Sequence, residues 1–320
     1  MNSFNYKNGK LLVEDVNVSD IAEKIKTPFY CYSLNHLKEQ YIRLDESINL
    51  EDYEICFSIK SNSNQSIIKT FSKLGSGADV VSIGELKRAL KAGIPSKKIV
   101  FSGVGKTSEE IRFAIKSDIL MFNVESISEL KKISKESEYL NVQSNISLRI
   151  NPDISAGGNE KISTGKAQDK FGIDWKSAIE SYDFAANLSG IKIIGIDFHI
   201  GSQINQIKPF EESLDLLIGI IGELRKKGHE IKVFDVGGGL GVQYHPEEKP
   251  LDINKYGKLL SQKLGALKCK IVIEPGRFLT ANSAILVTKI IYVKNTDKNN
   301  FLIVDAAMND FIRPTLYGSY

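Results

Sequence analysis

Nothing in the sequence approaches the roughly 20 consecutive apolar residues that a membrane span needs. The opening stretch, MNSFNYKNGKLLVEDV, lacks the apolar core of a secretory signal. Cysteine is scarce and odd in number: Cys31, Cys56 and Cys269. Two of the three sit in strand-like runs and none shows metal-ligand spacing, so no metal site is expected. A reducing cytoplasm suits them better than a disulfide framework. Charge of one sign is nowhere concentrated. The 42 Lys and Arg are scattered among 39 Asp and Glu, leaving a net charge of +3. The richest run, Lys131 to Glu138, mixes signs as a solvated helix face does. A nucleic-acid or membrane-surface role therefore has little support.

What is present is ordinary globular material. The 320 residues are 42% hydrophobic, enough for one large core or for one large domain plus a piece of another. Short β-rich runs recur eight times, at 53–59, 78–82, 98–103, 119–124, 146–151, 193–200, 232–237 and 270–276. Most are too apolar to face water on either side, as parallel strands covered on both faces are. Helical periodicity lies between them. IGELKRALKAG (83–93) stops on Gly93, SISELKKISKE (126–136) opens on a serine cap with a glutamate three residues on, and PFEESLDLLIGIIGELRKKG (209–228) opens on proline and closes on Gly228. Eight strand–helix repeats predict an α/β fold of the (β/α)8 barrel type. A doubly wound sheet is the alternative, but KSNSN stands where its GxGxxG fingerprint would follow the first strand.

A barrel collects its chemistry where strands end. Lys60 ends the first strand, in CFSIKSN. Such a lysine is either a snorkelling surface residue or an amine at the mouth of a site. His199 with Gly201-Ser202-Gln203 ends the sixth strand, Asp235 and GGGLG the seventh, and Glu274-Pro275-Gly276-Arg277 the eighth. The turns Gly237-Gly238-Gly239 and Pro275-Gly276-Arg277 let backbone N–H groups approach a phosphate, with the following helix end adding a favourable dipole. Each turn alone could be only a tight turn. A strand-end amine beside a phosphate site points to pyridoxal phosphate held as a Schiff base. Glu274 is then the acidic partner of the ring nitrogen, or a buried partner of Arg277, or both. His199 lies against the ring or is a core histidine.

FSIKSN, GADVVSIGEL, FSGVGK, TGKAQDKFGI, HIGSQ, DVGGGLGV, EPGR and DAAMNDFIRPTLYGSY occur in this order. On these stretches the chain resembles, from about residue 5 to its last residue, the diaminopimelate decarboxylase family of the alanine-racemase-like class. The resemblance implies decarboxylation of meso-2,6-diaminopimelate to L-lysine and CO2, the last step of lysine biosynthesis, in a cytoplasmic homodimer with shared active sites. It implies that Lys60 carries the cofactor and that His199 stacks on its ring. Ser202, Gly238, Gly239, Pro275, Gly276 and Arg277 serve the phosphate side, and Glu274 meets the ring nitrogen. Arg277, Arg313 and Tyr317 hold the substrate's distal carboxylate. Residues 57–59 read Phe-Ser-Ile where Tyr-Ala-Val is usual. The family continues into a β-rich domain that supplies a catalytic cysteine across the dimer, and none of the three cysteines here stands in that motif. Expected domains are an N-terminal segment 1–30 pairing with the β-rich domain, a barrel 31–280, and the start of the β-rich domain at 281–320, incomplete in a C-terminally truncated chain. Related decarboxylases of ornithine, arginine or carboxynorspermidine are the alternative, as is a non-catalytic barrel that buffers the cofactor.

Overall fold

The computed structural model describes residues 3–155, 164–166 and 168–317. Ala167 of TGKAQDKFGI and the final Gly318-Ser319-Tyr320 lie outside the described residues. Two compact units form. One takes residues 1–39, 244–248 and 281–320, the other 40–243 and 249–280.

The first unit opens with an antiparallel sheet of β1 (Phe4–Lys7), β2 (Lys10–Val13) and β3 (Val16–Asn17). Helix α1 (Val18–Ile25) starts on Asn17, whose side chain accepts from the Ser19 N–H. Strand β4 (Phe29–Tyr32) then leads into α2 (Leu34–Ser47). The C-terminal run read as one strand at 284–293 divides into β14 (Ala284–Val287) and β15 (Ile290–Asn295), and β15 makes a hairpin with β16 (Asn300–Val304). β14 pairs with β4, Leu286 opposite Tyr30. The opening residues therefore build a small sheet of their own, and 29–32 is the N-terminal strand that joins the C-terminal segment. The first stretch of this unit runs to Glu39 and includes β4. Val13, Val18 and Cys31 form its core, with Leu11, Phe29, Ile285 and Val287 against them.

The second unit is a closed parallel barrel. Its eight strands are β5 (Tyr53–Ser58), β6 (Gly77–Val80), β7 (Ile99–Phe101), β8 (Met121–Val124), β9 (Ser144–Asn151), β11 (Ile191–Asp197), β12 (Val233–Asp235) and β13 (Lys270–Ile273), with a two-residue strand β10 (Ile173–Asp174) added beside β9. β13 pairs back onto β5 and β8 onto β9, which closes the ring. Each of the eight expected runs is a barrel strand. The helices are α3 (Gln65–Lys73), α4 (Ile83–Lys91), α5 (Ser108–Lys116), α6 (Ile127–Tyr139), α7 (Ala178–Ala186), α8 (Lys208–Lys226), α9 (Ile253–Leu264) and the single turn α10 (Arg277–Thr280). Ser126 caps α6 by accepting from the Glu129 N–H, and Pro209 sits in the first turn of α8.

Alternation along the strands organises the interior. On β5, Phe57 points outward and packs at 4.5 Å, ring centre to ring centre, on Phe71 of α3. Cys56 points inward and joins Val100, Met121, Ile194, Val233 and Val272, one from each of six strands, in a floor. Beyond that floor each strand turns polar, two residues on for five of the six floor strands and three on for β11, whose ladder bulges at Ile194: Ser58, Asp79, Ser102, Asn123, Arg149, Asp197, Asp235 and Glu274. The second strand contributes no floor side chain because Gly77 is pressed against its neighbours. A Cβ there would lie 2.2 Å from the Lys98 carbonyl oxygen and 2.8 Å from Cys56 Sγ. Gly77→Ala should lower stability by about 1–3 kcal/mol through strain in the β6–β7 contact, read as an earlier denaturation midpoint. An unchanged midpoint would show that the strand can shift freely.

Candidate active site

The mouth of the barrel gathers most of the residues singled out from sequence. Lys60 follows β5 in a single 3-10 turn (Ile59–Ser61). Its ammonium pairs with the Asp79 carboxylate, Oδ2, which also accepts from Ser58 Oγ at 2.8 Å. Burial alone would lower the Lys60 pKa, but Asp79 and Glu274 outweigh it and hold the amine above the ordinary lysine value. Its side chain is 44% exposed and opens onto the mouth, so it is no core residue and no mere surface lysine either.

His199 follows β11. Its Nδ1 accepts from the Gly238 N–H at 3.2 Å, which places the remaining ring proton on Nε2. Burial, Arg149 and Lys60 all push its pKa well below the usual imidazole value, so the ring is neutral. Its carbonyl accepts from Arg149 (3.2 Å) and from Thr164 Oγ1 (3.0 Å). Arg149 is in turn held by Glu125 at 2.8 Å.

The loops after β11 and β12 are laced together. Gln203 grips the Val242 backbone from both ends of its amide: Nε2 donates to the carbonyl at 2.5 Å, and Oε1 accepts from the N–H at 3.1 Å. Ile204 N–H donates to the Gly239 carbonyl and Gly241 N–H to the Ile204 carbonyl. Gly238 is packed so closely that a Cβ would lie 1.9 Å from the Glu274 carbonyl oxygen. Arg277 Nε donates to Ser202 Oγ at 3.1 Å, bringing the loop after β13 to the same rim. The helix dipoles expected behind these turns are weak. No helix follows GGGLG until Ile253, and the one after EPGR has four residues.

Glu274 is 5% exposed. Burial and then Asp79 push its pKa up to about 7 against the pull of Lys60. It accepts from Asn123 Nδ2 at 3.3 Å and from Ser102 Oγ at 3.4 Å. Arg313 and Tyr317 belong to the other unit, on α11 (Arg313–Tyr317), where the Arg313 guanidinium lies 4.5 Å over the Tyr244 ring and 5.8 Å over Tyr317.

Sequence reading missed Asp79, Asn123, Arg149 and Asp197. The available signal was a polar residue near the end of an apolar strand: GADV, MFNV, SLRI and GID. A recess between α5 and α6, lined by Ile119, Phe122, Leu140 and Val142, lies away from these groups and gathers no such chemistry.

Comparison with known proteins follows this geometry. A family model described as the pyridoxal binding domain of pyridoxal-dependent decarboxylases matches residues 34–281. The chain belongs to this family. It is 43% identical to the diaminopimelate decarboxylase of Zymomonas mobilis over 99% of its own length and 76% of that relative. It is equally identical to that of Haemophilus influenzae over 100% of itself and 77% of that protein. The structure of Helicobacter pylori diaminopimelate decarboxylase complexed with L-lysine matches with a TM-score of 0.91 and 41% identity, covering 95% of this chain and 76% of that one. An L-lysine complex of the enzyme from M. jannaschii matches at 0.92 and 34%, covering 99% and 76%. The curated relatives align over 97–100% of the chain and 74–77% of their own lengths.

The mouth fits the family's cofactor on its own chemistry. It offers an amine, an acid of raised pKa, a neutral flat ring, and glycine turns with Ser202 and Arg277 at the rim. It also holds two buried carboxylate oxygens, Asp79 Oδ1 and Asp197 Oδ1, without a hydrogen-bond partner, as expected where a polar ligand completes a site. Lys60 and Arg149 supply positive charge beside these carboxylates, and Asn123 donates to Asp235 and Glu274.

Two tests follow. Because folded Glu274 keeps a proton that the unfolded chain releases above about 4.5, the group costs nothing well below that pH, destabilises progressively from about 4.5 to about 7, and its cost levels off beyond. Without ligand, the wild type should lose on the order of 2–3 kcal/mol more than Glu274→Gln between pH 5 and 8, measured by denaturant titration. Parallel pH profiles would contradict this. Asp79→Asn removes the charge that holds Lys60 protonated, so acylation of Lys60 at pH 8, followed by peptide mass spectrometry, should become faster. An unaltered rate would show that Asp79 does not set the lysine's charge.

Proposed function

We propose that the chain decarboxylates meso-2,6-diaminopimelate to L-lysine, with pyridoxal phosphate as cofactor, in the cytoplasm and as a homodimer. The observation that carries this reading is the convergence of Lys60, His199, Glu274 and the two glycine turns at one barrel mouth, in a chain 43% identical along its length to a diaminopimelate decarboxylase. When bound, the cofactor supplies the sink for the electron pair left by departing CO2.

The chain's own residues do the rest. Lys60 attaches the cofactor through its amine, and Asp79 receives the ammonium whenever the lysine is disengaged. Glu274 holds a proton at the ring nitrogen. His199, neutral and fixed by the Gly238 N–H, offers a flat face without adding charge. Ser202, Gly238, Gly239, Pro275, Gly276 and Arg277 serve the phosphate rim. Arg277, Arg313 and Tyr317 serve the distal carboxylate, for which guanidinium is the natural fork. Cys56 has no part in the mouth, since it is fully enclosed in the floor and burial raises its thiol pKa well above normal. The β15–β16 hairpin favours association. Ile290, Tyr292, Val293 and Leu302 are each at least half exposed, leaving apolar surface on the hairpin of the kind that seeks a partner. Three unpaired thiols suit a reducing compartment.

Added pyridoxal phosphate should give an absorbance band near the visible edge that borohydride fixes covalently to Lys60. Lys60→Ala should lose both the fixed label and turnover, and a label retained elsewhere would overturn the assignment. With meso-diaminopimelate the product should be lysine, whereas turnover of ornithine alone would refute the substrate. Arg313→Ala should weaken substrate binding about tenfold or more, the loss of a charge-assisted pair of roughly 1.5–3 kcal/mol, and leave cofactor affinity unchanged. Equal loss of cofactor would make Arg313 structural.

A further inference from the structure

The mouth holds more acid than the proposed chemistry uses. Asp197, Asp235 and Glu274 each place a carboxylate oxygen within 4.8 Å of the others, and all three are buried. Three such groups in a dry space cannot all be ionised. Asp235 and Glu274 bring carboxylate oxygens within 4.8 Å of each other and accept from one shared amide, and two buried carboxyl groups held that close are stable together only with a proton on one of them. Asn123, fully buried on β8, reaches both. Its Nδ2 donates to Asp235 Oδ2 at 3.0 Å and to Glu274 Oε1 at 3.3 Å, and lies 3.2 Å from Ser102 Oγ. Ser147 Oγ donates to Asn123 Oδ1 at 2.6 Å. That bond keeps the amide's donor side turned to the acids. Asp235 also accepts from the Gly237 N–H at 3.0 Å.

We propose that Asp235 and Glu274 share one proton as a dyad fastened by Asn123, and that Asp235 is thereby the positioning residue for the acid that meets the cofactor's ring nitrogen. The second clause rests on the functional reading above; the dyad itself does not.

Charged neighbours act on the dyad in both directions. Burial and Asp79 on β6 favour the proton on Glu274, while Lys60 after β5 and Arg149 on β9 oppose it. Burial, Glu274 and Asp197 on β11 favour the proton on Asp235, against the donated bonds from Asn123 and Gly237. Cys56 in the floor and Tyr256 of α9 also feel these acids, and both are held neutral. The pair therefore titrates as a unit. Its proton passes between an Asp235 oxygen and a Glu274 oxygen with no change in the total charge of the mouth. Glu274 is thus available as acid or as carboxylate without exchange with bulk water.

The test uses the full, ligand-free chain with carbon-13 in the glutamate side-chain carboxyls, followed by NMR across pH, with Glu274→Gln assigning the signal. Glu274 should titrate far above an ordinary glutamate. Asp235→Asn removes the upper step of the pair and should move that midpoint down by about one unit or more. Ser147→Ala frees the Asn123 amide without touching an acid, and should shift the midpoint more in the wild-type background than in Asp235→Asn, where only the direct bond from Asn123 to Glu274 is disturbed, a non-additive result. A Glu274 midpoint unmoved by Asp235→Asn overturns the dyad, and if that variant does not fold, carbon-13 in the wild-type aspartate carboxyls should show Asp235 following the same two midpoints as Glu274, separate single midpoints overturning it. A dyad found in a chain that performs no decarboxylation refutes the functional reading only. Turnover with an unmoved midpoint refutes the dyad only.

Discussion

Asp79, Asp197, Asp235 and Glu274 put four carboxyl groups into one dry space, facing two cations, Lys60 and Arg149. Arg149 is already committed to Glu125. Charge in the mouth is therefore under-compensated, and the structure answers with protons and fixed dipoles: raised carboxyl pKa values, the amide of Asn123, and the N–H of Gly237. Lys60 is a cation because Asp79 needs one. A basin of this kind accepts an anionic, carbonyl-bearing ligand only where its cations and glycine turns lie, at the rim.

That basin is a product of barrel closure. A parallel strand read alone shows no preference for either end. When eight strands run the same way and close through β8–β9 and β13–β5, the residues just beyond the apolar floor are forced into a single layer. Gly77 lets the floor beneath it close around Cys56 without a clash. The apolar floor keeps water from the far side, which strengthens every electrostatic contact above it.

Much of this was legible beforehand. The eight strands announced themselves because a strand buried on both faces is a short apolar run with turn signals at its ends. Lys60, His199 and Glu274 stood out because each ends such a run. Asp79, Asn123, Arg149 and Asp197 did not, since one polar residue inside a short apolar run is indistinguishable from an ordinary irregularity until pairing registers reveal which positions share a layer. Helix ends behind the glycine turns were expected from the general habit of barrels, and the chain instead spends residues 241–252 on an irregular connection. Arg313 and Tyr317 carried no signal of their own. Only the resemblance marked them, because an arginine in a polar C-terminal stretch has many uses.

The clamp between Gln203 and Val242 has a consequence for how such a chain can change over generations. The two loops that follow β11 and β12 share their backbone hydrogen bonds and cannot be lengthened or exchanged one at a time. Gly238, pressed against the Glu274 carbonyl, admits no other residue. Novelty in ligand choice must therefore arise from loops outside this pair, around an anchor that is closed to gradual revision.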